Sequence, residues 1–437
     1  MFQSLQSIFK IPELKRRVLY TLGALIVYRV GGHVPSAGIN GEALATYFKQ
    51  QQGSLLGLYD MFVGGAFSQA TIFALGIMPY ISASIILQLF TAVIPYFEKL
   101  QKMGEEGRKK ITQYTRYGTV LLALVQSYAA SMYLLSLPAI EGNPIVPVPG
   151  VSFVLLTMLT MTTGTIFVMW LGEQISEKGI GNGISLIIFI GIVARYPNDW
   201  LNTFRAIRIG SLNIFGAAVL IAMMVFIVAA VVLMQQAQRR IPVQYAKRVV
   251  GRKVYGGQST HIPLRLNTAG VIPVIFAQAI IMFPGTLASF FRGNIFMENM
   301  ASWLQPGAPL YTTLYVIIIV FFAYFYTAII FNPVDLADNM KKYGGFVPGK
   351  RPGKKTAEYI DSVLTRITLP GSLFLAFIAV LPFFMQQKLN APFTFGGTGL
   401  LIVVGVGLDT LQQIESHLLM RHYDGFMKKG KLRGRRR

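Results

Sequence analysis

Apolar residues fall in long blocks separated by short charged stretches. The blocks are Val18 to His33, Ile72 to Ile94, Tyr117 to Leu137, Val151 to Leu171, Ile184 to Val193, Ile214 to Met234, Val271 to Phe291, Leu310 to Phe331, Ile367 to Met385 and Leu400 to Leu419. A helix needs about 20 apolar residues to cross a bilayer, so the pattern predicts an all-α polytopic membrane protein of ten spans. The fifth block is short for a span. Between the first and second blocks, DMFVGGAFSQ holds a segment too small to cross, carrying Gly64 and Gly65. The second block reads as a helix interrupted by Gly76 and Pro79. Irregular backbone at membrane depth survives only where it is buried in protein or lines a cavity. A gated pore is the expectation.

Composition sharpens this reading. The 437 residues are 53% hydrophobic and 13% charged, about half the charged fraction of an ordinary soluble chain. Cysteine is absent, which removes disulfides and thiol catalysis. His33, His261, His417 and His422 stand at segment edges or in a loop, with no spacing that resembles a ligand set. There is no G-x-x-x-x-G-K-[ST] phosphate loop and no H-E-x-x-H. Neither an enzyme nor a bound cofactor is expected, and energy for transport must come from elsewhere.

Loop charge orients the spans. Thirty-three of the 40 basic residues fall on one side if both termini are cytoplasmic. Lys49, Arg195, Arg205, Arg208, Arg292 and Lys388 fall outside, and Arg29 lies within the first span. The arginines between the fifth and sixth spans fit the rule worst. Residues 1–17 read as a cytoplasmic amphipathic segment with Phe2, Leu5, Ile8 and Phe9 on one face. Residues 18–200 hold spans one to five. Residues 201–420 hold spans six to ten, with long cytoplasmic loops at 235–268 and 332–366, and 421–437 form a basic tail.

An internal echo links the halves. Gly76-Ile77-Met78-Pro79 and Gly270-Val271-Ile272-Pro273 stand second in each group of five blocks, and GIGNGIS and FGGTGLL open the fifth and tenth. Two groups of five must run in opposite directions, the inverted-repeat arrangement common in transport proteins. A secondary transporter of small solutes shares that architecture, but it needs intramembrane charge. Here Arg29, Glu173, Asp409 and Glu415 sit near predicted span ends. The irregular segments bring branched aliphatics instead. Ile77 and Ile81 are four apart, Ile184 and Ile188 repeat that spacing, and the repeat maps Ile81 onto Ile275. A ring of such side chains excludes water and ions by dewetting; isoleucines that merely face lipid have the same spacing.

The two long loops are the other informative feature. YAKRVVGRKVYGGQSTHIPLRLN alternates aromatic, aliphatic and basic residues, and GGFVPGKRPGKKT places turn formers around a basic tip. Such surfaces suit an acidic partner, whether nucleic-acid phosphate or an acidic protein patch. Contact with anionic lipid accounts for part of that charge.

These motifs, with IFALGIMPYISASII, MWLGEQISEKGIGNGISLIIF, RRIPVQYAKR, AGVIPVIFA and YTAIIFNP, resemble the bacterial members of the SecY/Sec61-alpha family nearly end to end. The resemblance implies a multi-pass channel of the bacterial cytoplasmic (inner) membrane that conducts unfolded secretory polypeptides and releases membrane helices sideways. It implies a pore ring of Ile77, Ile81, Ile184, Ile188, Ile275 and Ile402, adding the last to those the spacing nominates. It implies a short re-entrant plug helix at about 59–68, including Asp60, Met61, Phe62, Gly64 and Gly65, and lateral-gate polar residues Ser84, Gln88, Gln126 and Gln278. Arg252 and Lys253 match a basic loop pair, with lysine where the family more often has arginine. Arg351, Pro352 and Gly353 match the docking tip. Partners implied are the SecE and SecG subunits, the SecA ATPase, ribosomal RNA phosphates, signal sequences with unfolded preproteins, and membrane lipids.

Overall fold

A computed structural model of the chain describes residues 11–50, 55–139, 143–210, 213–245, 248–250, 253–255, 259–290, 299–300, 302–389 and 397–429. The amphipathic stretch at 1–10, Arg252, and residues 430–437 of the basic tail lie outside the described residues. Two compact units are formed, one of Met1–Leu201, Met282–Gln305 and Val406–Arg437, the other of Asn202–Ile281 and Pro306–Gly405.

In the first unit the helices are α1 (Pro12–Gly31), α2 (Gly41–Gln50), α3 (Leu55–Val63), α4 (Met78–Val93), α5 (Pro95–Lys102), α6 (Glu105–Ser136), α7 (Val151–Lys178) and α8 (Gly183–Val193). Helix α9 (Tyr196–Ile209) follows α8 after Ala194 and Arg195. Glu105 and Glu106 fill the first turn of α6, where negative charge meets the positive end of the helix dipole. Asn182 caps α8 by accepting from the Ile184 and Ser185 amides, which satisfies two donors the first turn leaves orphaned. Gly183–Ile209 runs 27 residues, so the fifth span is longer than its apolar block indicates. Arg195, Arg205 and Arg208 therefore lie on or beside that helix rather than in a free loop. At the end away from the fifth helix's start, α1 and α8 meet the 60–77 segment. At the opposite end, Leu14 of α1 packs with Ile180 just before α8.

Gly76 and Pro79 do not interrupt a helix. Gly76 takes a left-handed φ of +54°, α4 begins two residues later, and Pro79 sits in its first turn, where a missing N–H costs nothing. In the second unit Gly270 has φ +65° and α11 (Ile272–Phe290) starts at the same offset, with Pro273 in its first turn. The echoed G-x-x-P is a helix-start signal used twice.

Besides the first part of α11, the second unit holds α10 (Ile214–Gln236), α12 (Pro309–Ile330), α13 (Pro333–Lys342), α14 (Lys354–Leu389) and the start of α15 (Gly397–Lys429), and α14 packs against both α12 and α13. Helix α10 buries only Ala217, Ile227 and Val231 and exposes Phe215, Ile221, Val225, Phe226 and Leu233. A helix apolar all round and bare of protein is one that lipid covers. Among the described residues six helices are long and apolar enough to cross a membrane. A seventh is counted if α4 and α5, which meet at 96°, form one span.

The chain is not purely helical. From the two long loops come β1 (Gln238–Tyr245), β2 (Arg248–Val250), β3 (Lys253–Tyr255), β4 (Ser259–Arg265) and β5 (Gly345–Phe346). Strand β1 lies centrally, antiparallel to both β4 and β5, with Ile241 opposite Ile262 and Gln244 opposite Phe346. β2 and β3 form a separate hairpin. Ile241, Val243 and Leu264 pack with Met340 of α13, Val347, and Ile360 and Leu364 of α14. The two loops thus share one small core built on the first turns of α14.

Candidate functional site

The segment after α3 is seated by side chains from three helices. Asp60 folds it: Oδ1 accepts from the Ser68 amide at 2.8 Å, and the Asp60 carbonyl accepts from Gly65 N–H at 2.9 Å. Asp60 Oδ2 pairs with Arg195 Nη1 at 3.4 Å. From α1, Arg29 donates to the Gly64 carbonyl at 3.1 Å and the Tyr28 hydroxyl to the Val63 carbonyl at 3.3 Å. The Tyr59 hydroxyl donates to the Leu75 carbonyl at 3.0 Å. Asp60, Met61 and Phe62 are buried. Phe67 meets Tyr59 and Phe48 edge-on.

Two glycines make this seating possible. A Cβ on Gly64, which has φ +74°, would stand 2.9 Å from the Cα of Gly191 in α8. A Cβ on Gly76 would stand 2.9 Å from Val63 at the end of α3. The end of α3 therefore lies against the residue just before Ile77.

The six isoleucines divide between the units. Ile77, Ile81, Ile184 and Ile188 belong to the first, and all but the half-buried Ile184 are buried. The Ile184 Cγ1 lies close to Gly172 of α7. Ile275 and Ile402 belong to the second unit, and Ile402 is wholly buried. There Gly405 of α15 abuts Val271 at the start of α11. Ile402 stands one turn before Gly405 and Ile275 one turn after Val271, which puts both on the facing sides of the two helices.

The gate candidates find partners close by. Gln88 donates to Ser84 one turn away at 3.0 Å on α4. Gln126 is buried on α6. Gln278 of α11 exchanges hydrogen bonds with the Tyr311 hydroxyl of α12 at 3.3 and 3.4 Å. The Tyr311 ring lies tilted against that of Tyr315, with centroids 5.7 Å apart, and the Tyr315 hydroxyl is 3.2 Å from that of Thr398. This buried tyrosine pair has no sequence signal beyond two aromatic residues one turn apart.

At the docking tip Arg351 and Pro352 are exposed. The Arg351 carbonyl accepts from the Thr356 hydroxyl, and Gly353, at φ +92°, accepts from the Thr356 and Ala357 amides. The tip is thereby fixed to the start of α14. Lys253 opens β3. Arg116 is basic yet sits beside a predicted span, Tyr117 to Leu137. It lies within α6 and grips Glu173 of α7 through two bonds of 2.9 and 2.8 Å, a fork-to-fork pair that fixes orientation as well as distance. No group of three or more metal-ligating side chains occurs among the described residues.

Together these features define a polytopic helical membrane protein with a short helix folded back against spans. The SecY family model matches residues 71–411, and the chain belongs to that family. It is 51% identical over 426 residues to the protein translocase subunit SecY of Escherichia coli K12, covering 97% of this chain and 96% of that one. It is 45% identical to that of Aquifex aeolicus, covering 98% and 100%. Among solved structures, "The structure of a protein conducting channel" matches with TM-score 0.64 at 17% identity, covering 92% of each chain. Sec61 in a canine ribosome–channel complex matches with TM-score 0.60 at 16% identity, covering 92% of each chain. At those identities the likeness is of fold.

Proposed function

We propose that this chain is the protein-conducting channel subunit of a translocase, not an enzyme. It passes unfolded secretory polypeptides across the membrane and releases membrane helices into lipid. The end-to-end kinship with translocase subunits carries this reading. The working parts extend that reading. The 60–68 segment acts as the plug, and Ile77, Ile81, Ile184, Ile188, Ile275 and Ile402 form the constriction. Ser84, Gln88, Gln126 and Gln278 tune the lateral gate. Ten spans in two inverted halves, with both termini cytoplasmic in a bacterial inner membrane, frame these parts.

Arg252, Lys253, Arg351, Pro352 and Gly353 dock an energy source, either the SecA motor or ribosomal RNA. A ribosome is seated on a Sec61 relative in one solved complex. SecE and SecG are the companion subunits. Because native cysteine is absent, single cysteines at the six constriction positions can be crosslinked to an export substrate stalled midway. Adducts at these positions and none at the exposed Phe215 or Phe226 are expected. Equal labelling at both sets would remove the pore assignment.

A further inference from the structure

We infer that Asp60, Arg195 and Arg29 are positioning residues that latch the 60–68 segment shut, and that parting Asp60 from Arg195 is the step that frees it. The inference rests on the plug reading above. Its ground is the way one carboxylate serves two purposes. Oδ1 closes the segment on itself through the Ser68 amide, while Oδ2 ties it to Arg195 beyond the end of α8. The Asp60 side chain is only 8% exposed. Arg29 adds a second cation, held to the Gly64 carbonyl just past the C-terminal end of α3, where positive charge complements the helix dipole. Asp199, one turn along from Arg195, is a second carboxylate within reach of its charge.

These two arginines are among the residues that sit badly with the loop-charge rule. Arg29 lies inside a span and Arg195 lies on the side that should be poor in basic residues. A partner for each in the folded-back segment accounts for both. The physics also makes the latch two-state. While the segment is seated, losing Arg195 leaves the buried Asp60 carboxylate without its ion-pair partner, which is costly. Once the segment lifts, both groups meet water, where such a pair is worth little. A translocating chain therefore meets resistance at the start of displacement and almost none afterwards.

The test uses the full-length chain with its copurifying subunits in proteoliposomes. Two readouts are taken: resting ion conductance, and the rate at which a membrane-impermeant maleimide labels a Met61→Cys background. Asp60→Asn and Arg195→Gln should each raise both by at least about tenfold, because each removes the ion pair that ties the segment to Arg195. Arg195→Lys, which keeps the charge, should stay near the parent, and the exchange Asp60→Arg with Arg195→Asp should seal better than either single variant, though below the parent because an arginine side chain cannot accept from the Ser68 amide. Unchanged readouts in the single variants would overturn the latch. If the single variants lose their fold, the exchange and Arg195→Lys decide, since failure of both to seal would overturn it as well. Deleting 60–68 separates the two levels of inference. A deletion that leaks while the charge variants do not overturns the latch alone, whereas a deletion that does not leak overturns the plug reading beneath it.

Discussion

Gly64 and Gly65 are adjacent, both carry positive φ, and they face different surroundings. At Gly64, φ is +74° and an added Cβ meets Gly191 Cα at 2.9 Å; at Gly65, φ is +87° and an added Cβ meets nothing within 4 Å. An L side chain in the left-handed region costs about 1–2 kcal/mol, so Gly65→Ala bears that strain alone. Gly64→Ala bears it and must also force α3 away from α8, at about 1–3 kcal/mol more. Hydrogen exchange over residues 60–68 should accelerate in both variants and markedly more in Gly64→Ala. Equal acceleration would mean that the Gly64–Gly191 approach does not hold the segment. The glycine pair was visible in the sequence as a mark of unusual backbone. Its partner was not, because Gly191 is distant in the chain and no local pattern announces that two backbones will touch. The same holds for Asp60 and Arg195, where only the misfit of Arg195 with the charge rule hinted at a partner.

Helices were legible wherever lipid dictates composition, and their ends were not. Apolar blocks mark only the part of a helix at membrane depth, so α6 begins at Glu105 and α14 at Lys354, well before Tyr117 and Ile367. The loop strands were partly legible. In QRRIPVQY, Ile241 and Val243 point inward between exposed Arg240 and Gln244, the period-two alternation of a half-buried strand. Pairing was hidden because β5 joins β1 from about a hundred residues further along. The shared core gives a direct test of whether this platform carries the docking tip. Ile360 is wholly buried in it, and Ile360→Ala should cost about 2–5 kcal/mol. Amide exchange across β1 and β4 should rise while α12 stays protected, and export driven by the SecA motor should fall with it. Arg351→Glu should abolish that export with exchange unchanged, since Arg351 is exposed and only its carbonyl is used in the fold. Normal export by Arg351→Glu would remove the tip from the docking surface.

The buried acid among the described residues is Asp60, and it is paired, so the polar midplane site that a small-solute transporter requires has no counterpart there. The seal then depends on branched aliphatics keeping a narrow path dry, and Ile402 is the most sensitive place to test this. It is wholly buried in the second unit, and its side chain lies on the face of α15 that Val271 and α11 cover. Ile402→Asn puts an amide there, and an amide that cannot find protein partners will recruit water. A wetted constriction conducts ions and also lowers the work of opening, so substrates with poorly matched signal sequences should be exported more readily. Ile187→Asn is the control, because Ile187 is equally buried but is not one of the six residues assigned to the constriction. It should lower the melting temperature without widening signal tolerance. Conductance in proteoliposomes and export of a weakened-signal substrate distinguish the two variants. If Ile402→Asn leaves both at the parental level, Ile402 does not line the constriction and the dewetted seal must be built from other residues.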